Sequence, residues 1–174
     1  MPFDRQPILT GFLVKARPLL LEDRNALYSV ASDPLIWKQH PASNRYLENE
    51  FEKYFLDAIE SQGALLVVST DTSNVIGSSR YHGFNEEESE IEIGWTFLAR
   101  KYWGGKYNGE LKQLMLSHAF KFVKTVIFRI GPENFRSQKS VEKIGGVKDD
   151  NLDIKGNVVY RVTKSTYLKH NAAT

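Results

Sequence analysis

The chain has no cysteine, only two methionines and four histidines, and no apolar run near the roughly 18 residues a membrane span requires. Without cysteine there is no disulfide framework, no thiol nucleophile and no thiolate metal site. His40, His82, His118 and His170 show no metal-ligand spacing, so no metal is expected. The opening MPFDRQPILTGF lacks the basic segment and apolar stretch of a secretory signal, which makes the cytoplasm the expected compartment. Excess charge is also scarce. A net charge of +2 argues against a general nucleic-acid binder, and neither nucleic acid nor membrane is an expected partner.

What the chain does have is a globular balance, 41% hydrophobic and 25% charged, in 174 residues. That length fits a single domain, residues 1–174, with a sizeable core. No repeat, low-complexity segment or linker divides it. The basic residues are unevenly placed. Arg100 to Lys112 carries four basic residues and one acid, and Arg129 to Lys143 four basic and two acidic, so about −3 is left for the rest.

Patterning predicts the elements in order. Phe12 to Arg17 is a short alternating strand ended by Pro18, and Leu21 to Ser32 a helix with Glu22 and Asp23 in its first turn. Ile36 to Arg45 is a loop, and Tyr46 to Gln62 a helix. Ala64 to Ser69 and Val75 to Tyr81 form a hairpin, followed by a polar loop from His82 to Ser89. Glu90 to Phe97 alternates as the central strand, with Ile91, Ile93, Trp95 and Phe97 on one face and Glu90, Glu92 and Thr96 on the other. The next helix carries Leu111, Leu114, Met115, His118 and Phe122 at helical spacing. Val126 to Ile130 is a strand, and Asn134 caps a helix over Phe135 to Ile144. Val147 to Ile154 and Val158 to Thr163 are the last strands, with a frayed HNAAT tail. The order β-α-α-β-β-β-α-β-α-β-β gives an α/β fold, a mixed sheet with helices on its faces and one parallel pair joined by a right-handed crossover.

Trp103-Gly104-Gly105-Lys106 lies between the central strand and its helix. Free amides at a helix N-terminus attract anions, so this loop is a candidate phosphate site. A nucleotide P-loop fits poorly, because its first glycine is absent and Tyr107 stands where Ser or Thr must ligate magnesium.

The element order, EIGWTFLARKYWGGKYNGELKQLMLSHAF and the later IGPENFRSQKSVEKIGG together resemble the GNAT N-acetyltransferases, on the side of the ribosomal-protein alanine acetyltransferases. The resemblance covers nearly the whole chain. It implies acetyl-CoA as acetyl donor, with the pantetheine arm paired to the strand at Phe97 and Leu98. It also implies a pyrophosphate held on backbone amides of Trp103, Gly104, Gly105, Lys106, Tyr107 and Asn108. Asn134 matches a residue that contacts pantetheine, and Ser137 one near the thioester sulfur. The loop departs from the family's usual Gln/Arg-x-x-Gly-x-Gly/Ala. Lys106 stands at the second glycine, Asn108 at the last small residue, and Gly105 is displaced by one.

Amine attack on a thioester requires a base, because a free amine has a pKa of about 8 to 10. Glu92, on the polar face of the central strand, is the candidate, with Glu90 behind it. Two carboxylates on one face would raise one pKa by repulsion. Both are equally readable as solvated strand acids. Ser137 can donate to the leaving sulfur, or simply bond backbone as a first-turn residue. Trp37, His40, Arg80, Tyr81 and Trp95 are candidate acceptor-pocket residues, although Trp37 also suits a core lid and Tyr81 a structural hydroxyl. His118, on the apolar helix face, is expected to be a satisfied core histidine. The expected activity is direct N-acetylation of a small-molecule or protein N-terminal amine. The alternatives are an acyl-CoA-binding module without turnover and a ligand-free interaction domain. A homodimer is a fair default.

Overall fold

The computed structural model describes residues 2–172. It contains an eight-stranded sheet in the order β1-β2-β3-β4-β5-β6-β8-β7. The strands are β1 (Leu9–Thr10), β2 (Val14–Pro18), β3 (Ala64–Ser69), β4 (Val75–Asn85), β5 (Glu90–Leu98), β6 (Thr125–Ile130), β7 (Val147–Lys148) and β8 (Val158–Thr163). All neighbours are antiparallel except β5 and β6. The helices are α1 (Arg24–Ala31), α2 (Glu48–Glu60), α3 (Lys106–Ala119), α4 (Phe135–Glu142) and α5 (Lys164–Ala172). The mixed α/β architecture agrees with the sequence reading.

Two cores sandwich the sheet. Phe51, Tyr54, Phe55 and Ala58 of α2 repeat at helical spacing and pack with Leu27 and Ala31 of α1. Leu111, Met115, Leu116 and Ala119 of α3 fill the opposite face. The strand β3 serves both, with Leu65 and Val67 in the α3 core and Ala64 and Leu66 in the α1/α2 core. A strand buried on both faces reads as a continuous apolar run, as ALLVVS does.

The central strand departs from simple alternation. Ile91 and Ile93 lie in the α3 core, whereas Phe97 lies in the α1/α2 core with Trp95 packed against it. The reason is a β-bulge. Arg80 opposes Gly94 and Ser78 opposes Phe97, so three steps on β5 match two on β4. Trp95 absorbs the extra residue at φ 53°, and parity inverts beyond it.

Other boundaries also differ. The strand expected over 147–154 ends at Lys148. Asp153 Oδ1 accepts from the amides of Lys155 and Asn157, both at 2.9 Å, and that local turn replaces sheet pairing. The polar loop expected from His82 instead continues β4 to Asn85. The helix expected over 21–32 begins as a 3-10 turn at Leu21–Asp23. At the C-terminus the Thr163 hydroxyl accepts from Thr166 N at 3.1 Å and caps α5, whose Tyr167 packs on Phe120. His170 to Ala172 are therefore helical, and the remainder of the tail expected to fray lies outside the described residues.

The start of the chain is clamped to α3. Glu110 accepts from the amides of Phe12, Leu13 and Val14 at 2.9, 2.7 and 2.8 Å. A Cβ at Gly11 would stand 2.5 Å from Glu110 Oε2, so a larger residue there would have to displace the Glu110 carboxylate. His118 is buried, with Nε2 2.7 Å from Asp4 O, as a core histidine should be.

Candidate active site

The parallel pair β5–β6 has three register pairs, Glu90–Thr125, Ile91–Val126 and Glu92–Ile127. Beyond them β5 continues to Leu98 along β4, and β6 to Ile130 along β8. The strands diverge, and the β5 edge from Ile93 to Leu98 faces the gap with no strand partner among the described residues. Glu92 lies in the last register pair, the segment from Trp103 to Asn108 follows β5, and Asn134 and Ser137 follow β6.

Glu92 sits at the vertex, 7% exposed. Its Oε2 accepts from Arg129 Nη1 at 2.6 Å, and Arg129 Nε lies 3.6 Å from Asp153. Its Oε1 runs alongside Gly94, 3.4 Å from where a Cβ would stand. Burial raises the Glu92 carboxyl above its ordinary range, with Arg129 pulling the other way. Glu90 is separately paired, with Arg161 at 2.8 Å. The raised value therefore comes from desolvation, not from repulsion between the two glutamates. Arg129 was missed in the sequence, although parallel pairing of Glu92 with Ile127 puts it one step along the same face.

At one mouth of the gap, Gly104 and Gly105 adopt φ 106° and 103°, open to solvent, and Gly105 is the N-cap of α3. The first helical bond runs from Gly109 N to Gly105 O at 2.7 Å, which leaves the amides of Lys106, Tyr107 and Asn108 without helical acceptors. Two successive glycines at positive φ turn the chain abruptly into the helix. Trp103 is half-exposed, donates its Nε1–H to Leu98 O at 2.9 Å, and has Arg136 stacked 3.7 Å from its ring centroid. Tyr107 packs edge-on against Tyr102. Asn108 donates to Ser140 Oγ at 2.8 Å and accepts from the buried Lys112 at 3.0 Å, so α3 is tied to α4. Burial with no carboxylate lowers the Lys112 pKa to about 8.

Opposite, Asn134 is buried and caps α4, its Oδ1 accepting from Ser137 N at 3.3 Å. Ser137 is half-buried, and its hydroxyl makes no hydrogen bond among the described residues.

The acceptor-pocket candidates separate. Tyr81 is excluded. It is fully buried on the α3 face, donates to Met115 O at 2.7 Å, and burial raises its pKa. Trp37 is a core residue, its Nε1–H bonded to Ala31 O at 2.8 Å and its ring packed on Phe97. The Phe97 side chain is likewise core, so only its backbone borders the gap. His40 stands edge-on to Trp37, its Nδ1 accepts from Ala42 N at 2.9 Å, and burial, with Arg45 and Arg136 nearby, lowers its pKa to about 4. Trp95 lines a hollow of about 240 Å³ with Arg45, Tyr54 and Asp57, and stacks with Arg80. No cluster of three metal-ligating side chains occurs among the described residues, and no described helix is long and apolar enough to cross a membrane.

The chain superimposes on a GCN5-related N-acetyltransferase from Brucella melitensis at 19% identity, with a TM-score of 0.78 over 98% of this chain and 86% of that one. The GNAT-family acetyltransferase from Bacillus anthracis gives 0.76 at 20% identity, over 91% and 99%. The Mycobacterium smegmatis RimJ structure, a complex with CoA-disulfide, gives 0.67 at 15%, over 92% and 88%. No curated protein matches the sequence. The profile of the Acetyltransferase (GNAT) domain family matches residues 14–147, well over half the chain, and the protein therefore belongs to the GNAT acetyltransferases.

Proposed function

We propose that the protein uses acetyl-CoA to acetylate a primary amine by direct attack on the thioester. The observation that carries this reading is the gap beyond Glu92–Ile127, with a buried carboxylate at its vertex and open helix amides at its mouth. The fit to acetyl-CoA rests on chemistry. The amides of Lys106 to Asn108 and the Lys106 ammonium suit a pyrophosphate, and the edge of β5 that borders the gap suits an amide-bearing arm. The donor supplies an activated acyl group. Glu92 takes the amine proton as the C–N bond forms and the C–S bond breaks, and the electron pair leaves on sulfur. Ser137 donates to that sulfur, and Asn134 fixes the turn that holds Ser137. The branch resembling the ribosomal-protein alanine acetyltransferases, with a small-molecule or polypeptide N-terminal amine as acceptor, fits the same cleft.

The test is thiol release from acetyl-CoA with a panel of amines. Glu92→Gln is expected to lower kcat about 100- to 10,000-fold, with acetyl-CoA affinity retained. Undiminished turnover would remove Glu92 from the base role. A second reading, binding without turnover, is favoured by the 2.6 Å contact that engages Glu92 with Arg129. Stabilisation by acetyl-CoA in a thermal shift, with no transfer to any amine, would select it.

A further inference from the structure

The α1/α2 face of the cleft holds a cation whose hydrogen bonds are incomplete. Arg80 of β4 is 2% exposed. Its Nη1 donates to Asp57 at 2.6 Å, but Nε and Nη2 have no hydrogen-bond partner among the described residues. Its guanidinium lies 4.6 Å from the Trp95 ring and 5.7 Å from that of Tyr54. Asp57, Tyr54 and Trp95, the side chains against Arg80, all line the 240 Å³ hollow, so Arg80 lies directly behind its wall. Arg45 reaches the same hollow across the rings of Tyr54 and Trp37, at 4.7 and 5.1 Å, and makes no ion pair among the described residues. The acids there are already engaged, Asp57 with Arg80 and Glu50 with Lys53 at 2.7 Å. One positive charge is left over. Buried donors without acceptors are costly, and a bidentate guanidinium is shaped for a carboxylate.

The position relative to Glu92 matters. Arg80 opposes Gly94, and Glu92 is two residues back on the same face. The backbones of such diagonal neighbours lie about 7–8 Å apart, so one small amino-carboxylate can lie across both side chains. Building on the acetyl-transfer reading, we propose that the acceptor is a small amine bearing a carboxylate, an amino acid or close analogue, held by Arg80 with Arg45 beside it. The bound carboxylate takes the two orphaned N–H groups and turns the half-buried Trp95 ring aside. The amine then points along β5 toward Glu92. Arg80 and Arg45 are specificity-determining residues, acting on the acceptor's anionic end.

The experiment pairs amino acids with their carboxamides, as free amines in thiol release and as N-acetyl forms in calorimetry with and without coenzyme A. The carboxylates are expected to exceed the amides by about 10- to 100-fold in kcat/KM and in affinity. Arg80→Met should erase that preference. Arg45→Met should reduce it, and covers the case in which Arg80→Met does not fold. Equal handling of carboxylates and amides, or no binding of either, overturns the proposal. Transfer to neutral amines alone would overturn it and leave the transfer reading standing. A carboxylate preference in binding without any transfer would do the reverse.

Discussion

Replacing Arg129 by methionine tests the titration of Glu92 directly. The guanidinium lies 2.6 Å from the carboxylate, and the two side chains are 38% and 9% exposed. Charge centres about 4 Å apart interact by about 4 kcal/mol at an effective dielectric near 20. Solvent around the part-exposed arginine reduces this to about 1–2 kcal/mol, or roughly one pH unit. The cation favours the deprotonated carboxylate, so its removal raises a pKa that burial has already raised. A general base must be deprotonated, and the acid limb of kcat/KM should therefore move to higher pH by about one unit. The alkaline plateau should stay close to that of the wild type, since the base is ionised there in both proteins. The assay is thiol release from acetyl-CoA under subsaturating amine, from acid to mildly alkaline buffer. A limb that stays in place, or moves down, would refute the assignment of Glu92 as the titrating group.

Three further outcomes follow from the geometry. Gly105→Ala puts a side chain at φ 103° with nothing within 4 Å, so the cost is conformational, about 1–3 kcal/mol, together with weaker acetyl-CoA binding. An unchanged urea midpoint would contradict the turn. Glu110→Ala leaves three amides near residues 12–14 without acceptors and should cost about 1–3 kcal/mol, measured by denaturant melt. A neutral result would mean the clamp is not formed in solution. Lys112 is lowered to about 8 from 10.5, so the unfolded chain binds more protons between those values and stability rises with pH across that window. The rise is about 3 kcal/mol. Lys112→Met should flatten it, and an identical slope in both proteins would refute the burial argument.

Much of this architecture is legible in the sequence because its signals are local. ALLVVS announces a doubly buried strand, the Phe51 to Ala58 spacing announces α2, and Asn134 announces its own cap. The sharp entry into α3 is equally legible, since two successive glycines stand ahead of an amphipathic helix. What escapes is set by distant partners. The bulge at Trp95 arises from registry with Arg80 and Ser78, and nothing between Glu90 and Leu98 foretells the inverted parity. Tyr81 looks like a pocket hydroxyl until Met115 O receives it, 34 positions away. Glu110 suits a helix dipole as a sequence feature, and only the fold brings it to the amides of Phe12 to Val14. Arg129 was within reach of strand alternation, but only once the parallel register was known.

The brevity of the parallel pairing has a mechanical consequence. The sheet is two stiff plates, β1 to β5 and β6 to β7, stitched by three rungs at Glu90 to Glu92 and backed by α3. Prying the cleft wider loads those rungs first, since six register pairs hold each of the adjoining seams β4–β5 and β6–β8. A molecule lying along the open edge of β5 acts as a missing strand. It would brace the plates against each other and slow amide exchange in residues it never touches.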